Sequence, residues 1–443
     1  MVWHQAAVKG INLTETLIGL SVLFTLLFIG LPIGFGMMVV GVTGFAWLTG
    51  WGPAFAMFGQ IAYETPLSYN LSVLPLFLLM GNFIAKSRLS EDLYNLAYVF
   101  LGHRRGGLAM ATLAACGGFS AVCGSSLATA ATMAKVAIPS MRRYGYADSL
   151  AAGSIAAGGT LGILIPPSTM LVLYGILTET DIGALFIAGI LPGILGIVLY
   201  IVAVGIVTSR KPELGPPGER STGTARWQAI RRVWGVLVLF VWVMGGIYFG
   251  IFTPTEAAGM GATGAFCFVL GRRALTWRIL LEILVETART SAMMFIMLIG
   301  ALLFSNFVNV AGLPTILTNW LSSLQLGPMY ILLAILAIYL MLGCILETLS
   351  MLLLTMPIFF PIVQLLGFDP VWFGILVVVA IEISLITPPI GLNVFMLSSV
   401  LTDISSGTIF RGVAPFIAVD IVRLAIIVFV PSVALLLPSL MRY

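Results

Sequence analysis

Ten stretches of this chain each hold enough consecutive apolar residues to cross a lipid bilayer: near 13–30, 32–49, 70–86, 147–175, 183–208, 231–252, 254–271, 287–311, 371–400 and 412–437. A helix crosses the roughly 30 Å hydrocarbon core with about 20 such residues. The rest of the chain offers no alternative, since 60% of its residues are hydrophobic and 9% charged, against roughly 25% charged in a soluble domain. A soluble fold could not cover its own surface with so few polar groups. The predicted class is an all-α polytopic membrane protein.

Several chemistries have no residues to perform them. Cys116, Cys123, Cys267 and Cys344 lie in apolar stretches at no metal-ligand spacing and read as small packed residues. His4 and His103 are the only histidines. No nucleophile stands with its base, and no phosphate-binding loop or redox motif occurs. Work done by such a chain comes from an ion gradient or a partner. The N-terminus lacks a small-residue cleavage site after a basic flank, so 13–30 is expected to stay as a helix.

The chain also repeats itself. A shift of 222 residues pairs Pro32 with Pro254, Pro139 with Pro361, Gly145 with Gly367, Pro166-Pro167 with Pro388-Pro389, and Asp181 with Asp403. Apolar composition alone does not align so many helix breakers, so the chain is read as a duplication. The repeats are expected at 1–208 and 231–443, joined by a polar, Pro/Gly-rich connector at 209–230. Each holds about five transmembrane helices, a re-entrant helical hairpin (107–141 and 328–365) and one Pro-Pro-broken helix (147–175 and 371–400). An amphipathic segment, 87–102, with Leu89, Leu93, Leu96 and Phe100 on one face, suits the membrane interface. An odd number of crossings makes the two halves inverted repeats.

Charge offers an independent check. With five crossings per half, 16 of the 21 basic residues fall on one side, among them Lys86, Arg88, Arg142, Arg210, Arg272 and Arg411. Only Lys9 and Arg442 fall on the other, while Lys135, Arg289 and Arg423 lie within or beside apolar segments. The positive-inside rule makes the rich side cytoplasmic, with the connector inside and both termini outside.

Candidate chemistry gathers at the hairpins and breaks. The first hairpin, GGFSAVCGSSLATAATMAKVAIPSM (117–141), breaks at Gly-Ser-Ser. Ser125 or Ser126 can cap its second arm, and Thr129 extends the polar face. Such residues either allow close helix packing or line a cavity, because polar turns at membrane depth are costly otherwise. In GGTLGILIPPSTMLVLYG (158–175), Pro166 and Pro167 lack N–H donors and free carbonyls around Gly162 and Ile163. The chain restarts at Ser168 and Thr169. One break thus offers carbonyl oxygens to a small cation and a helix N-terminus to a carboxylate. The second half supplies LGCILETLSMLLLTMPIFFPIV (342–363) and EISLITPPIGLNVFM (382–396), with Glu347 and Thr348 at the tip, Thr387 before Pro388 and Asn393 beyond. Glu347 is a functional candidate at membrane depth or simply a helix cap. Glu382 aligns with Thr160. Thr253-Pro254-Thr255-Glu256 reads as a capping box, and Asp420 with Arg423 as a mutual pair on one helix face.

Four stretches carry a family resemblance: GIFTPTEAAGMGA (250–262), LETLSMLLLTMPIFFPIV (346–363), GFDPVWFGILVVVAIEISLITPPIGLNVF (367–395) and GGTLGILIPPSTMLVLYG. Together they resemble the large membrane subunit of tripartite ATP-independent periplasmic (TRAP) transporters, in the wider ion-transporter superfamily. The resemblance implies sodium-driven import of a small organic acid across the bacterial inner membrane, without a bound cofactor other than coupling sodium ions, and with no nucleic acid. It implies a soluble periplasmic binding protein and a small four-helix membrane subunit as partners. It also implies an elevator-type motion of hairpins and broken helices within a static scaffold. Ser125, Ser126, Thr129 and the segment holding Thr160, Gly162, Pro166, Pro167 and Ser168 correspond to one sodium and substrate region. Gly343, Glu347, Thr348 and the segment holding Ser384, Thr387, Pro388 and Asn393 correspond to the other. Sodium itself is expected at Ser125, Ser126, Gly162, Gly343, Thr348 and Thr387. Two alternatives stay open: a stand-alone sodium/anion symporter of the same fold, and an integral membrane enzyme or channel.

Overall fold

The computed structural model describes residues 13–441 apart from 88 and 324–325, so His4, Lys9, Arg88 and Arg442 lie outside the described residues. Helices and short 3-10 turns account for all the regular structure among them. The first half runs α1 (Leu13–Phe28), α2 (Ile33–Thr49), α3 (Trp51–Leu67), α4 (Val73–Ala85), α5 (Leu89–Leu101), α6 (Gly107–Cys123), α7 (Ser126–Arg143), α8 (Asp148–Thr160), α9 (Thr169–Thr178) and α10 (Ile182–Arg210). The second runs α11 (Gly223–Tyr248), α12 (Pro254–Gly271), α13 (Trp277–Val310), α14 (Leu313–Ser323), α15 (Pro328–Leu342), α16 (Thr348–Leu365), α17 (Pro370–Ser384), α18 (Leu392–Val400) and α19 (Ser406–Phe429), with a last turn, α20 (Ser432–Leu435). The bounds of α7 and α16 differ by the same 222 residues as the sequence pairs.

Three expectations are corrected. Helix α3 was not anticipated, because Gln60, Glu64 and the prolines at 53 and 66 interrupt its apolar run. It joins α4 at a 54° bend. The second half has one 34-residue helix, α13, in the same place, starting at Trp277 rather than 287. Pro66 at the bend becomes Ala288 under the 222-residue shift, and a proline inside a helix is what breaks it. The last long helix ends at Phe429 instead of 437, with Pro431 just beyond.

Among the described residues, five helices are long and apolar enough to cross a bilayer singly: α10, α11, α13, α16 and α19; the bent α3–α4 pair makes a sixth if it is one span. At about 1.5 Å per residue, half-helices such as α8 and α9 reach bilayer thickness only in pairs. One of the five, α16, lies in the stretch that the sequence reads as the second hairpin.

Small residues set the closest packing, as expected where lipid removes the hydrophobic drive between helices. Helices α2 and α13 press backbone to backbone: a side chain at Gly41 would meet the Leu303 carbonyl carbon at 2.6 Å, and one at Gly34 the Met297 Cα at 2.9 Å. Gly153 of α8 meets Gly412 of α19 in the same manner. The amphipathic α5 buries Leu89 and Leu93 and leaves Phe100 exposed, covered by the Arg226 guanidinium 5.5 Å from its ring. Polar ends are laced by ion pairs between distant segments: Lys86–Glu282 at 3.4 Å, Arg272–Asp92 at 2.6 Å, and Arg142 with Asp148 at 3.0 Å and Asp403 at 2.6 Å.

Candidate functional site

The first hairpin turns at Gly124, whose left-handed backbone (φ 62°) closes α6 with an N–H to the Ser120 carbonyl. Ser125 is the cap: its hydroxyl accepts the Ala128 N–H at 3.4 Å, and α7 starts at Ser126. The tip lies directly on the first break. Thr169 donates to the Gly124 carbonyl at 3.3 Å, and a side chain at Gly162 would meet the Ser125 carbonyl oxygen at 2.8 Å. Within the break, α8 gives way to a 3-10 turn over Leu161–Ile163, and the Pro166–Pro167 bond is cis. Ser168 then caps α9, accepting the Leu171 N–H at 3.3 Å and donating to the Ile163 carbonyl at 2.5 Å. Of the two carbonyls expected to be freed, Ile163's therefore already has a donor.

The second unit repeats the plan with other atoms. Glu347 caps α16, accepting the Ser350 N–H at 3.2 Å and its hydroxyl at 3.0 Å, so the capping role foreseen for this carboxylate is present. Gly343 packs against the Ser384 side chain, and the Cys344 thiol donates to the Pro388 carbonyl at 3.4 Å. Pro388–Pro389 is also cis. Thr387 turns its hydroxyl back to the Ile383 carbonyl at 2.6 Å, and the Asn393 N–H reaches the Leu385 carbonyl at 3.0 Å. Helix α18 restarts after Gly391 in the left-handed region (φ 57°), with no side-chain cap.

One side chain of the second unit makes two bonds to the first. Ser126, first residue of α7, donates to Asn393 Oδ1 at 2.9 Å, and Asn393 Nδ2 donates to the Ala156 carbonyl at 3.1 Å. Both side chains are buried. The N-termini of α7 and α18 thus meet, and α9 starts beside the same hairpin tip. Helix N-termini carry positive partial charge and unpaired N–H groups, which favours an anion. The oxygens around them are hydroxyls and carbonyls, and the Thr129 and Ser120 hydroxyls are buried with no hydrogen-bond partner. Unspent oxygens of this kind fit a small hard cation such as sodium.

The structure therefore brings together Ser125, Ser126, Gly162, Pro166, Pro167 and Ser168, with Thr129 one turn into α7. In a second group it sets Gly343 against Ser384 and the Cys344 thiol against Pro388, next to Thr387, while Glu347 and Thr348 stand at the start of α16; Asn393 links this group to the first. Thr160 is placed elsewhere. Its hydroxyl donates to the Ala157 carbonyl at 2.7 Å and lies 3.4 Å from the Tyr200 hydroxyl. Tyr200 was not foreseen and belongs to a buried ionic group. Its hydroxyl donates to Asp420 Oδ2 at 2.5 Å. Asp420 pairs with Arg423 at 3.0 Å, as its spacing suggested, and Arg423 also binds Glu382 at 2.5 Å. The repeat gave the available clue: Glu382 stands where the first half has Thr160, and both face this group.

Residues 20–433 match the family model described as "Tripartite ATP-independent periplasmic transporter, DctM component". The chain is 38% identical over 381 residues to the C4-dicarboxylate TRAP transporter large permease protein DctM of Pseudomonas aeruginosa, covering 85% of this chain and 88% of that one. It is 33% identical over 419 residues to the sialic acid TRAP transporter large permease protein SiaM of Vibrio cholerae, covering 94% and 96%. Among solved structures, the Alcanivorax borkumensis YdaH transporter shares the fold with a TM-score of 0.66 at 15% identity, over 86% of this chain and 88% of that one.

Proposed function

The chain belongs to the TRAP transporter family as a large permease component, a multi-pass membrane protein, and from that premise we propose that it imports a small organic acid anion coupled to sodium, by an elevator-type motion. The observation that carries this reading is the Ser126–Asn393–Ala156 bridge. It ties two tip-and-break units into one body whose chemistry is hydroxyl and carbonyl oxygen plus helix N-termini, with Glu347 as the one carboxylate at a tip. Sodium finds hydroxyl and carbonyl ligands around Ser125, Ser126, Gly162, Gly343, Thr348 and Thr387. The acid's carboxylate finds the starts of α7, α9 and α18. Organic acid is the class common to the names of the two relatives, one a C4-dicarboxylate transporter and the other a sialic acid transporter.

The remaining helices form the frame. α2 with α13, and α4 with α12, pair elements of the first half with elements of the second, and α5 is stapled along them by Arg272 and Arg226. A small four-helix membrane subunit would sit on this frame, and a periplasmic binding protein would deliver substrate. Inner-membrane placement with both termini periplasmic, and the two halves inverted, is supported by charge. The ion pairs Lys86–Glu282, Arg142–Asp403 and Arg272–Asp92 each join segments that the basic-residue pattern places on the cytoplasmic side.

The test is uptake into proteoliposomes holding the chain with its small subunit, supplied with the cognate binding protein and candidate acids. Accumulation should follow an imposed sodium gradient. Uptake that follows a pH gradient and ignores sodium contradicts the coupling. Uptake at full rate after both tips are cross-linked to α2 and α13 contradicts the elevator.

A further inference from the structure

Glu382 on α17, Asp420 and Arg423 on α19, and Tyr200 on α10 are wholly buried, and they meet in one cluster. The Arg423 Nη2 group lies between Glu382 Oε2 at 2.5 Å and Asp420 Oδ1 at 3.0 Å. Two carboxylates thus face one guanidinium. The surrounding helices bring no second cation. Helices α9, α15, α16, α18 and α20 contain no charged residue. Asp148 at the start of α8 is paired with Arg142, while Arg210 and Arg411 stand at the far end of α10 and the first turns of α19. The neighbouring buried tyrosines are turned elsewhere, Tyr174 to the Pro370 carbonyl and Tyr339 to Thr355.

Fully ionised, the cluster would hold one uncompensated negative charge among wholly buried side chains. A buried charge without a partner is the costliest arrangement a protein interior can hold, and such groups neutralise instead. We infer that the cluster binds one resident proton, and that Glu382 carries it. Asp420 accepts the Tyr200 hydroxyl on Oδ2 and has the Arg423 charge 3.0 Å from Oδ1, so two groups hold it as the ionised partner of the guanidinium. Glu382 has Arg423 alone, on Oε2; its Oε1 has no hydrogen-bond donor and, unlike the equally unbonded Asp420 Oδ1, is not the oxygen that faces the guanidinium, which suits a hydroxyl. A metal cation is a poorer neutraliser. It would find only Glu382 Oε1 and Asp420 Oδ1 for ligands, beside a guanidinium that repels it. The neutral cluster binds α8, α10, α17 and α19 together without giving them net charge. This inference does not depend on what the transporter carries.

Glu382 and Asp420 are the only buried acidic side chains among the described residues, so infrared spectroscopy can isolate them. At about pH 8 exposed carboxylates are fully ionised. The full chain, purified with its membrane partner in nanodiscs, should then still show the C=O stretch of an un-ionised carboxylic acid. The band should shift in D2O and disappear in both Glu382→Gln and Asp420→Asn, since either change leaves one carboxylate facing one guanidinium. Glu382→Gln copies the protonated form and should keep the wild-type thermal midpoint with or without sodium chloride, whereas Asp420→Asn should lower it. If either variant cannot be purified, glutamate-specific carbon-13 labelling of the wild-type chain should move the band. No band in wild type, a band retained in either variant, or a band unmoved by the glutamate label overturns the inference.

Discussion

Around the first break the close-contact glycine sits in the broken helix; around the second it sits in the hairpin tip. Gly162 and Ser384 are the same position under the 222-residue shift. In the first unit Gly162 lets the Ser125 backbone approach. In the second, that place is taken by Ser384, and the tip supplies Gly343 instead. The carbonyls left behind by the prolines show the same exchange. Ile163 and Leu385 are equivalent, and each loses its helical donor to a proline, Pro167 or Pro389. Ile163 regains one from the Ser168 hydroxyl, and Leu385 from the Asn393 N–H. Burial differs as well: the first break is buried throughout, while Pro388, Pro389 and Ile390 are exposed. A duplicated site keeps its contacts and its hydrogen-bond accounts, while the residues that meet them drift from one partner to the other.

The largest effect should come from breaking the glycine contact and mending it from the other side. Gly343→Ala drives a methyl group into Ser384, whose side chain is too short to move away, and overpacking of this kind costs ~1–3 kcal/mol. Sodium-driven uptake should be lost. Adding Ser384→Gly re-creates the arrangement of the first unit and should restore part of the uptake. Near-normal uptake by Gly343→Ala alone would show that the two contacts are not equivalent.

The proline pairs should come next. In Pro166→Ala with Pro167→Ala, residue 167 regains an N–H that competes for the Ile163 carbonyl and lets the helix heal. Sodium affinity should weaken about tenfold or more, equivalent to ~1.4 kcal/mol. Pro388→Ala with Pro389→Ala should do the same through Leu385. Pro254→Ala is the control, since Pro254 only opens α12 behind the Thr253–Glu256 capping box. If the control alters sodium affinity and the double variants do not, the ions bind elsewhere.

Cutting the link between the units should be milder. Ser126→Ala leaves Asn393 Oδ1 buried without its donor, a loss of ~1–3 kcal/mol. The thermal midpoint of the purified complex should fall, and adding Asn393→Ala should lower it by less than Asn393→Ala does alone, the remainder being its bond to the Ala156 carbonyl. Fully additive losses would mean the two side chains act separately.

How much of this was visible beforehand depends on whether the cause is local. The breaks and tips were legible, because proline and Gly-Ser-Ser act on the backbone where they stand. Glu347 as a cap was legible for the same reason. The Ser126–Asn393 bond spans 267 positions, and the Gly343–Ser384 and Tyr200–Asp420 contacts likewise join different helices, so no local pattern announces them. Helix α3 was hidden by the opposite fault: Gln60 and Glu64 bond one another along an exposed face, and a search for apolar runs passes over a helix that keeps such a face. Thr160 shares a segment with Gly162, and only the folded chain shows that its hydroxyl lies beside Tyr200.

The smallest effect should separate the two restarts. Ser168 does two jobs: it caps α9 through the Leu171 N–H and occupies the Ile163 carbonyl. The second break has no such residue, since Ile390 holds the equivalent position and α18 starts from Gly391 without a side-chain cap. Ser168→Ala removes a cap, worth ~1 kcal/mol, and the thermal midpoint should drop slightly. It also releases the Ile163 carbonyl, the one oxygen that the proline had freed and the serine had reclaimed. If that carbonyl serves sodium, the ion no longer competes with a hydroxyl for it, and sodium affinity in uptake assays should hold or improve despite the weaker helix. A variant that loses stability and sodium affinity together would instead make the Ser168 hydroxyl itself the ligand, and the first break would then bind through a side chain where the second offers only backbone and Thr387.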